Sequence, residues 1–309
     1  MKILIGYDGS DCSRTALADL RGAGLFDDTE ALVLTAAQLY LNLPRSCFEP
    51  GDVAAASQAV RRAHALGEAA MADAKATAED GARQLREVFP SWTVSAAATC
   101  EPAHRALIRS SEEWSSDLIV VGSHGRSALA RAVLGSVSHQ VVQAAHCSVR
   151  IARGPAHPAG APVKVMLGVD GSHDAAAAVS AVAARRWPPD SEVRVVSVLD
   201  VRVTTSVVGD DPLAATWITQ PAGPLEAGVD EDALKRVAAE IERPDVNVTT
   251  NIVVGDPKHA LVEEAHAWNA DCLIVGAKGH SRVERIFLGS VSSFVAARAQ
   301  CSVEIVRLS

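Results

Sequence analysis

The sequence predicts an α/β protein made of two tandem open five-stranded parallel sheets with helices on both faces. Three observations lead there. Apolar runs of strand length alternate with helical stretches, a pattern that needs crossover connections and therefore parallel strands. The same order of segments occurs twice in 309 residues, a length that suggests about two domains. One glycine spacing also recurs at the same place in each half. Gly122-x2-Gly125-x9-Gly135-Ser136 lies in VGSHGRSALARAVLGSVS, and Gly276-x2-Gly279-x9-Gly289-Ser290 lies in VGAKGHSRVERIFLGSVS. The expected organisation is a first domain over 1–152, a linker over 153–162 and a second domain over 163–309.

Each half opens on a short apolar strand that runs into Asp-Gly-Ser, KILIGYDGS at 2–10 and KVMLGVDGS at 164–172. Continuous apolar runs bounded by glycine read as strands buried on both faces. Alanine-rich helices follow over 13–20 and 175–186, then second strands over 31–36 and 193–199. The halves then diverge. The first carries a variable piece with Pro44, Cys47, Pro50 and Gly51, then a long helical pattern over about 53–88. The second carries a Gly- and Pro-rich loop over about 202–228 and a shorter helix over about 230–241. Third strands are expected at 93–98 and 246–254. Pro102 and Pro257 sit at the starts of the next helices, where a missing N–H costs nothing. Fourth strands fall at 117–121 and 271–275, and fifth strands at 147–151 and 301–306. Between the halves, RGPAHPAGAP has linker composition.

With 48% hydrophobic but only 4% aromatic residues, the cores must be built from Val, Leu, Ile and Ala. The net charge is −8. Neither half is basic: residues 1–152 hold 14 Lys and Arg against 17 Asp and Glu, and the rest hold 15 against 20. A phosphate-backbone binder would show a basic surplus, so no nucleic acid partner is expected. The start, MKILIGYDGSD, lacks a signal-peptide pattern, and no run of 18 apolar residues offers a membrane span. A cytoplasmic protein is expected. Its six cysteines, Cys12, Cys47, Cys100, Cys147, Cys272 and Cys301, show no metal-ligand spacing and read as free thiols.

The glycine loops carry the functional expectation. A phosphate needs N–H donors and room to approach; glycine leaves room, and a helix N-terminus offers unpaired N–H groups and partial positive charge. Ser136 and Ser290 stand where such helices open, ready to cap them or to donate to phosphate. Cations accompany each loop: His124, Arg126 and Arg131 in the first, Lys278, Arg282 and Arg285 in the second. Asp8 and Asp170 end the first strands on the same sheet edge, where open α/β sheets bind ligands, and could accept from an adenine amino group or a ribose hydroxyl. A purely structural alternative exists for each: the glycines make a tight strand-to-helix turn, and Asp-Gly-Ser is itself a turn signal.

These segments, together with Asp117-Leu-Ile-Val-Val-Gly122, Asp271-Cys-Leu-Ile-Val-Gly276 and the closing Cys-Ser-Val strands, resemble the universal stress protein family in its tandem two-domain, ATP-binding form. The likeness covers nearly the whole chain. It implies a nucleotide alpha hydrolase-like fold with strand order 3-2-1-4-5 in each half. It implies ATP contacts at Asp8, Ala36, Val121, Gly122, His124, Gly125, Gly135, Ser136 and Val137. The matching positions of the second half are Asp170, Val198, Val275, Gly276, Lys278, Gly279, Gly289, Ser290 and Val291. Ala36 departs from the family's valine, and Glu101 from its glycine before proline, so the second site keeps the pattern more fully. The resemblance also implies pairing of the two fifth strands within the chain, assembly of two chains into a homodimer, and an as yet unnamed protein partner.

For chemistry, no G-x4-G-K-[ST] loop and no kinase-type segment occurs. One aspartate per site would hold Mg2+ only with help from the phosphates. The leading expectation is a nucleotide-dependent regulator or sensor in stress adaptation; the alternative is a slow ATP-hydrolysing or autophosphorylating enzyme. His139 and His146 read as surface or packing residues, and Trp114 and Trp268 as helix-to-sheet packing.

Overall fold

The computed structural model describes residues 1–37, 58–124, 134–155, 157–200, 203–204, 218–219, 231–279 and 288–308. The first half runs β1 (Lys2–Gly6), α1 (Asp11–Asp19) with a 3-10 turn at Leu20–Gly22, β2 (Glu30–Ala36), α2 (Gln58–Val88), β3 (Thr93–Thr99), α3 (Ala103–Trp114), β4 (Leu118–Gly122), α4 (Ser136–Ala144) and β5 (Ser148–Ala152). The second runs β6 (Lys164–Gly168), α5 (His173–Ala184), β7 (Ser191–Leu199), a two-residue ladder of β8 (Val203–Thr204) with β9 (Ile218–Thr219), α6 (Glu231–Ile241), β10 (Val246–Val254), α7 (Pro257–Ala267), β11 (Cys272–Gly276), α8 (Ser290–Arg298) and β12 (Ser302–Val306). Expected boundaries shift by one or two residues. The long helix is described from Gln58, and the expected piece holding Pro44, Cys47, Pro50 and Gly51 lies outside the described residues.

Strand order is β10-β7-β6-β11-β12-β5-β4-β1-β2-β3. Within each half this is the expected 3-2-1-4-5 with parallel pairing. As the resemblance implies, the two fifth strands pair with each other. β12 pairs antiparallel with β5, so the halves share one ten-stranded sheet.

Burial explains the strand sequences. Ile3, Leu4 and Ile5 of β1, and Leu118 to Val121 of β4, are buried on both sheet faces, as a central parallel strand under helices requires. Local chemistry sets the connections. Ser115 and Asn269 close α3 and α7 in left-handed conformation, φ 53° and 55°. Asp117 and Asp271 then each accept the first N–H of the neighbouring strand, from Lys2 at 2.7 Å and from Lys164 at 2.8 Å. This is the structural work of the aspartate that opens Asp117-Leu-Ile-Val-Val-Gly122 and Asp271-Cys-Leu-Ile-Val-Gly276. Lys2 and Lys164 also lie over the rings of Trp114 and Trp268, which are packing residues, as expected.

On one face of the sheet the core is continuous across the β5–β12 seam: Val149 and Ile151 join Val303 and Ile305, with residues from α4, α7 and α8. On the other face the core splits in two, one under α1 and α2, one under α5 and α6. A buried ionic string fills the gap between them. Arg150 Nε donates to Asp19 Oδ2 at 2.6 Å, and its Nη1 to Glu304 Oε2 at 3.2 Å. Arg185 then grips Glu304 with both terminal nitrogens. Arg150 and Glu304 are each 1% exposed. Burial acts to raise the Glu304 carboxyl, but Arg185 and Arg150 outweigh it and hold it below its ordinary value. Cys272, which accepts from Arg150 at 3.3 Å, has its thiol pushed up to about 12, chiefly by burial. The five described cysteines are free thiols. Among the described residues no helix is long and apolar enough to cross a membrane.

Candidate functional site

In the second half, β6 delivers Asp170 to the carboxyl edge of the sheet. Gly171 turns the chain there with φ 81°, a left-handed angle that suits glycine. Asp170 Oδ1 accepts from Ser172 N at 2.9 Å, closing an Asx turn. The Ser172 hydroxyl accepts from Ala175 N at 3.2 Å, capping α5, and donates to Lys278 O at 3.1 Å. Lys278 N in turn donates to Asp174 Oδ2 at 3.0 Å. Both backbone groups of Lys278 are thus tied to the start of α5, which fixes the loop leaving β11.

The other wall is the start of α8. Gly289 N donates to Ala277 O at 2.8 Å, and the Ser292 hydroxyl donates to the same carbonyl at 2.7 Å. Gly289 is the cap residue and has no side chain to accept from the first-turn amides. Ser290 is the first helical residue, so the expectation of a serine cap is corrected: glycine occupies the cap in both copies, Gly289 and Gly135. The helix N-terminus keeps its partial positive charge without a capping side chain.

Between these walls lies a cavity of about 260 Å3. All nine residues that the resemblance implies for this half line it: Asp170, Val198, Val275, Gly276, Lys278, Gly279, Gly289, Ser290 and Val291. They come from β6, β7, β11 and α8 and their loops, far apart in sequence. Eight more residues complete the lining, among them Val196, Pro257, Leu261 and Ser172. Sequence reasoning passed over these. Ser172 could have been found from the repeated Asp-Gly-Ser; Val196 and Leu261 look like any other core residue. The lining combines an apolar side (Val196, Val198, Leu261, Val275) with a carboxylate, a lysine and a helix N-terminus. Arg282 and Arg285 lie outside the described residues.

Two glycines turn out to answer to the protein rather than to a ligand. A Cβ on Gly276 would stand 2.6 Å from the Asp174 carbonyl carbon and 2.7 Å from Ala175 N. A Cβ on Gly122 would stand 2.7 Å from Cys12 O. Strand β11 or β4 therefore packs directly on the first turn of α5 or α1. Gly279 sits against the acidic wall, where a Cβ would meet Asp170 Oδ2 at 2.6 Å.

The first half repeats much of this frame. Asp8 Oδ1 accepts from Ser10 N at 3.0 Å and from its hydroxyl at 2.5 Å. Gly9 has φ 75°, and Ser10 caps α1. Gly135 N donates to Ser123 O at 2.8 Å, and Ser138 Oγ to Gly122 O at 2.6 Å. Val121 and Gly122 end β4, Ser136 and Val137 open α4, and Ala36 ends β2. The copies differ in detail: Ser138 bonds the carbonyl of Gly122, whereas Ser292 bonds that of Ala277, the counterpart of Ser123. Cys12 stands where the second half has Asp174, so the carboxylate that receives Lys278 N has no counterpart at that position. His124 replaces Lys278; its Nδ1 lies 3.1 Å from the Ser123 hydroxyl, and its buried Nε2 has no hydrogen-bond partner among the described residues. Gly125, Arg126 and Arg131 lie outside the described residues.

Comparison with known proteins gives a consistent result. The model of the universal stress protein family matches twice, over residues 1–153 and 163–307. A universal stress protein of Mycolicibacterium smegmatis is 30% identical over 99% of this chain and 96% of its own length. One from Mycobacterium tuberculosis is 27% identical over 99% of this chain and 95% of its own. The crystal structure of a universal stress protein from Archaeoglobus fulgidus superposes with a TM-score of 0.63 over 99% of this chain and 98% of that one, at 18% identity, which speaks for the fold. Two matches of the family model over nearly the whole sequence, on a fold whose halves each repeat the same sheet, show that this chain belongs to the universal stress protein family.

Proposed function

We propose that the chain is a nucleotide-dependent regulator in stress adaptation that binds ATP in the cavity of its second half. The observation that carries this reading is convergence. Nine positions spread from Asp170 to Val291 meet at one cavity, on the sheet edge where α/β folds hold ligands. Its apolar side suits a flat heterocycle, and the uncapped start of α8 with Lys278 suits an anionic tail. At about 260 Å3 it falls just below the roughly 300–1,000 Å3 of drug-sized ligand sites. Residues 280–287, which follow Gly279 at its rim, are not among those described.

Among the described residues no group of three or more His, Cys, Asp or Glu side chains could hold a metal ion. Asp170 is the one carboxylate among the described lining residues, so a magnesium ion at this site would be held chiefly by the phosphates. The first-half residues Asp8, Ala36, Val121, Gly122, His124, Gly125, Gly135, Ser136 and Val137 form the second, weaker site of this reading. On it, the protein works in the cytoplasm and passes its nucleotide state to a protein partner or to a second copy of the chain.

Calorimetric titration of the full chain with Mg·ATP, wild type against Ser290→Glu, tests the proposal. An acidic residue in the first turn of a helix favours the helix, and α8 has none. Folding should therefore hold while the added charge repels the phosphates. At least tenfold weaker binding at the second site, with the ligand-free melting midpoint kept or raised, is the expected result. Unchanged affinity overturns the location.

A further inference from the structure

The seam between the halves carries information that the repeat itself does not. β5 reads SVRIA and β12 reads SVEIV; Arg150 and Glu304 hold the same, third position. The register pairs Glu304 with Arg150, Val303 with Ile151 and Ile305 with Val149. The approximate twofold axis relating the halves therefore passes between Arg150 and Glu304. Other contacts obey the same axis. Arg153 N donates to Ser302 Oγ and Arg307 N to Ser148 Oγ. Arg153 reaches Ala296 O on α8, as Arg307 reaches Val142 O on α4.

A residue on such an axis meets its own counterpart. If two first halves paired, Arg150 would face Arg150; if two second halves paired, Glu304 would face Glu304. We infer that Arg150 and Glu304 form a discriminator that makes the fifth-strand edge of each half accept only an unlike half, closing this surface to self-pairing between chains. Net charge alone does not decide the matter, because each axial residue keeps a counterion from its own half, Asp19 for Arg150 and Arg185 for Glu304. What differs is the order. In the observed pairing the charges alternate from Asp19 through Arg150 and Glu304 to Arg185. In either like pairing two equal charges touch at the centre, in a site where both axial side chains are 1% exposed and water screens little.

Shape at the axis acts in the same sense. The Gly24 carbonyl faces the second half, accepting from Arg186 N at 2.9 Å. Gly24 occupies in the first half the position of Arg186 in the second. A Cβ on Gly24 would stand 2.8 Å from the Trp187 ring, which is buried against it. Two second halves would bring Arg186 to the place that Gly24 leaves open for the indole. Two first halves would set Leu25, the counterpart of Trp187, where the larger indole lies, and leave the place underfilled.

The test cuts the linker of the folded chain. A site-specific protease sequence is inserted after Ala159, beside exposed Gly160, where an added Cβ would meet nothing within 4 Å. Cleaved 15N-labelled and unlabelled protein are mixed, unfolded in urea, refolded by dilution and weighed by native mass spectrometry. Random pairing would make half of all dimers like pairs. The inference predicts scrambled labels with like pairs below about one in a hundred; like pairs near the random share overturn it. In the uncut chain, Glu304→Arg puts like charges on the axis directly. It should lower the melting midpoint by several degrees, and an unchanged midpoint overturns the inference whether or not the cleaved halves refold.

Discussion

Arg150 Nη1 and Glu304 Oε2 meet at 3.2 Å across the seam of the ten-stranded sheet, each side chain only 1% exposed. The pair is braced at each end by Asp19 and Arg185. Removing one partner from such a string leaves the others buried and unsatisfied. Glu304→Gln should therefore cost about 3–5 kcal/mol of unfolding free energy, measured by urea titration at neutral pH. A loss under ~1 kcal/mol would show that the string relaxes into water.

The same carboxylate sets an acid limb. Glu304 is held below its ordinary 4.5 in the folded chain, so the folded state resists protonation more than the unfolded one. Its contribution is fully present above pH 4.5 and is lost as pH falls through the lowered value. Wild type should thus lose stability below about pH 4.5 more steeply than Glu304→Gln. Parallel limbs for the two proteins would contradict the assignment.

At the alkaline end the sign reverses. Burial raises Cys272 from 9.0 to about 12, so the unfolded thiol ionises first. Its contribution is present below pH 9 and lost between about 9 and 12. Cys272→Ala should flatten that part of the stability profile, whatever it does at neutral pH, and an unchanged alkaline slope would contradict this.

Gly276→Ala should destabilise the fold by about 1–3 kcal/mol, because its Cβ meets backbone atoms at 2.6 and 2.7 Å that can move only together with α5. Lost nucleotide binding in this variant would therefore report a damaged scaffold. A melting midpoint equal to wild type would show that β11 and α5 separate at little cost.

Lys278 lines the cavity beside the uncapped helix. Lys278→Gln should weaken ATP binding roughly tenfold, with the deficit shrinking at high salt, while adenosine binding stays the same. Equal losses for ATP and adenosine would place the lysine against the base or ribose instead of the phosphates.

Much of the fold was legible because its signals are local. Buried parallel strands have to be continuous apolar runs, and β1, β4, β6 and β11 are. The glycine spacing marked the ends of β4 and β11 and the starts of α4 and α8 in both halves. What the sequence hid was of two kinds. Arg150 and Glu304 alternate with Val and Ile, as solvent-facing residues of a half-buried strand do, and only the partner strand, α1 and the end of α5 reveal that their face is closed. Gly122 and Gly276 invite a reading as room for phosphate, because spacing alone does not tell which neighbour needs the space. The neighbour here is the backbone of Cys12 or Asp174. The third dimension also supplied Val196, Leu261 and Pro257, core-like residues that reach the cavity through the crossing of β7 and α7.

The central claim is that the cavity between Asp170, Lys278 and the start of α8 receives an adenine nucleotide. A crystal structure of the full chain grown with saturating Mg·ATP tests it most directly. The account predicts density for the base against Val196, Val198 and Leu261, with the phosphates at Gly289 and Ser290. Density for ATP at another place on the chain, with this cavity filled by water or side chains, would contradict it.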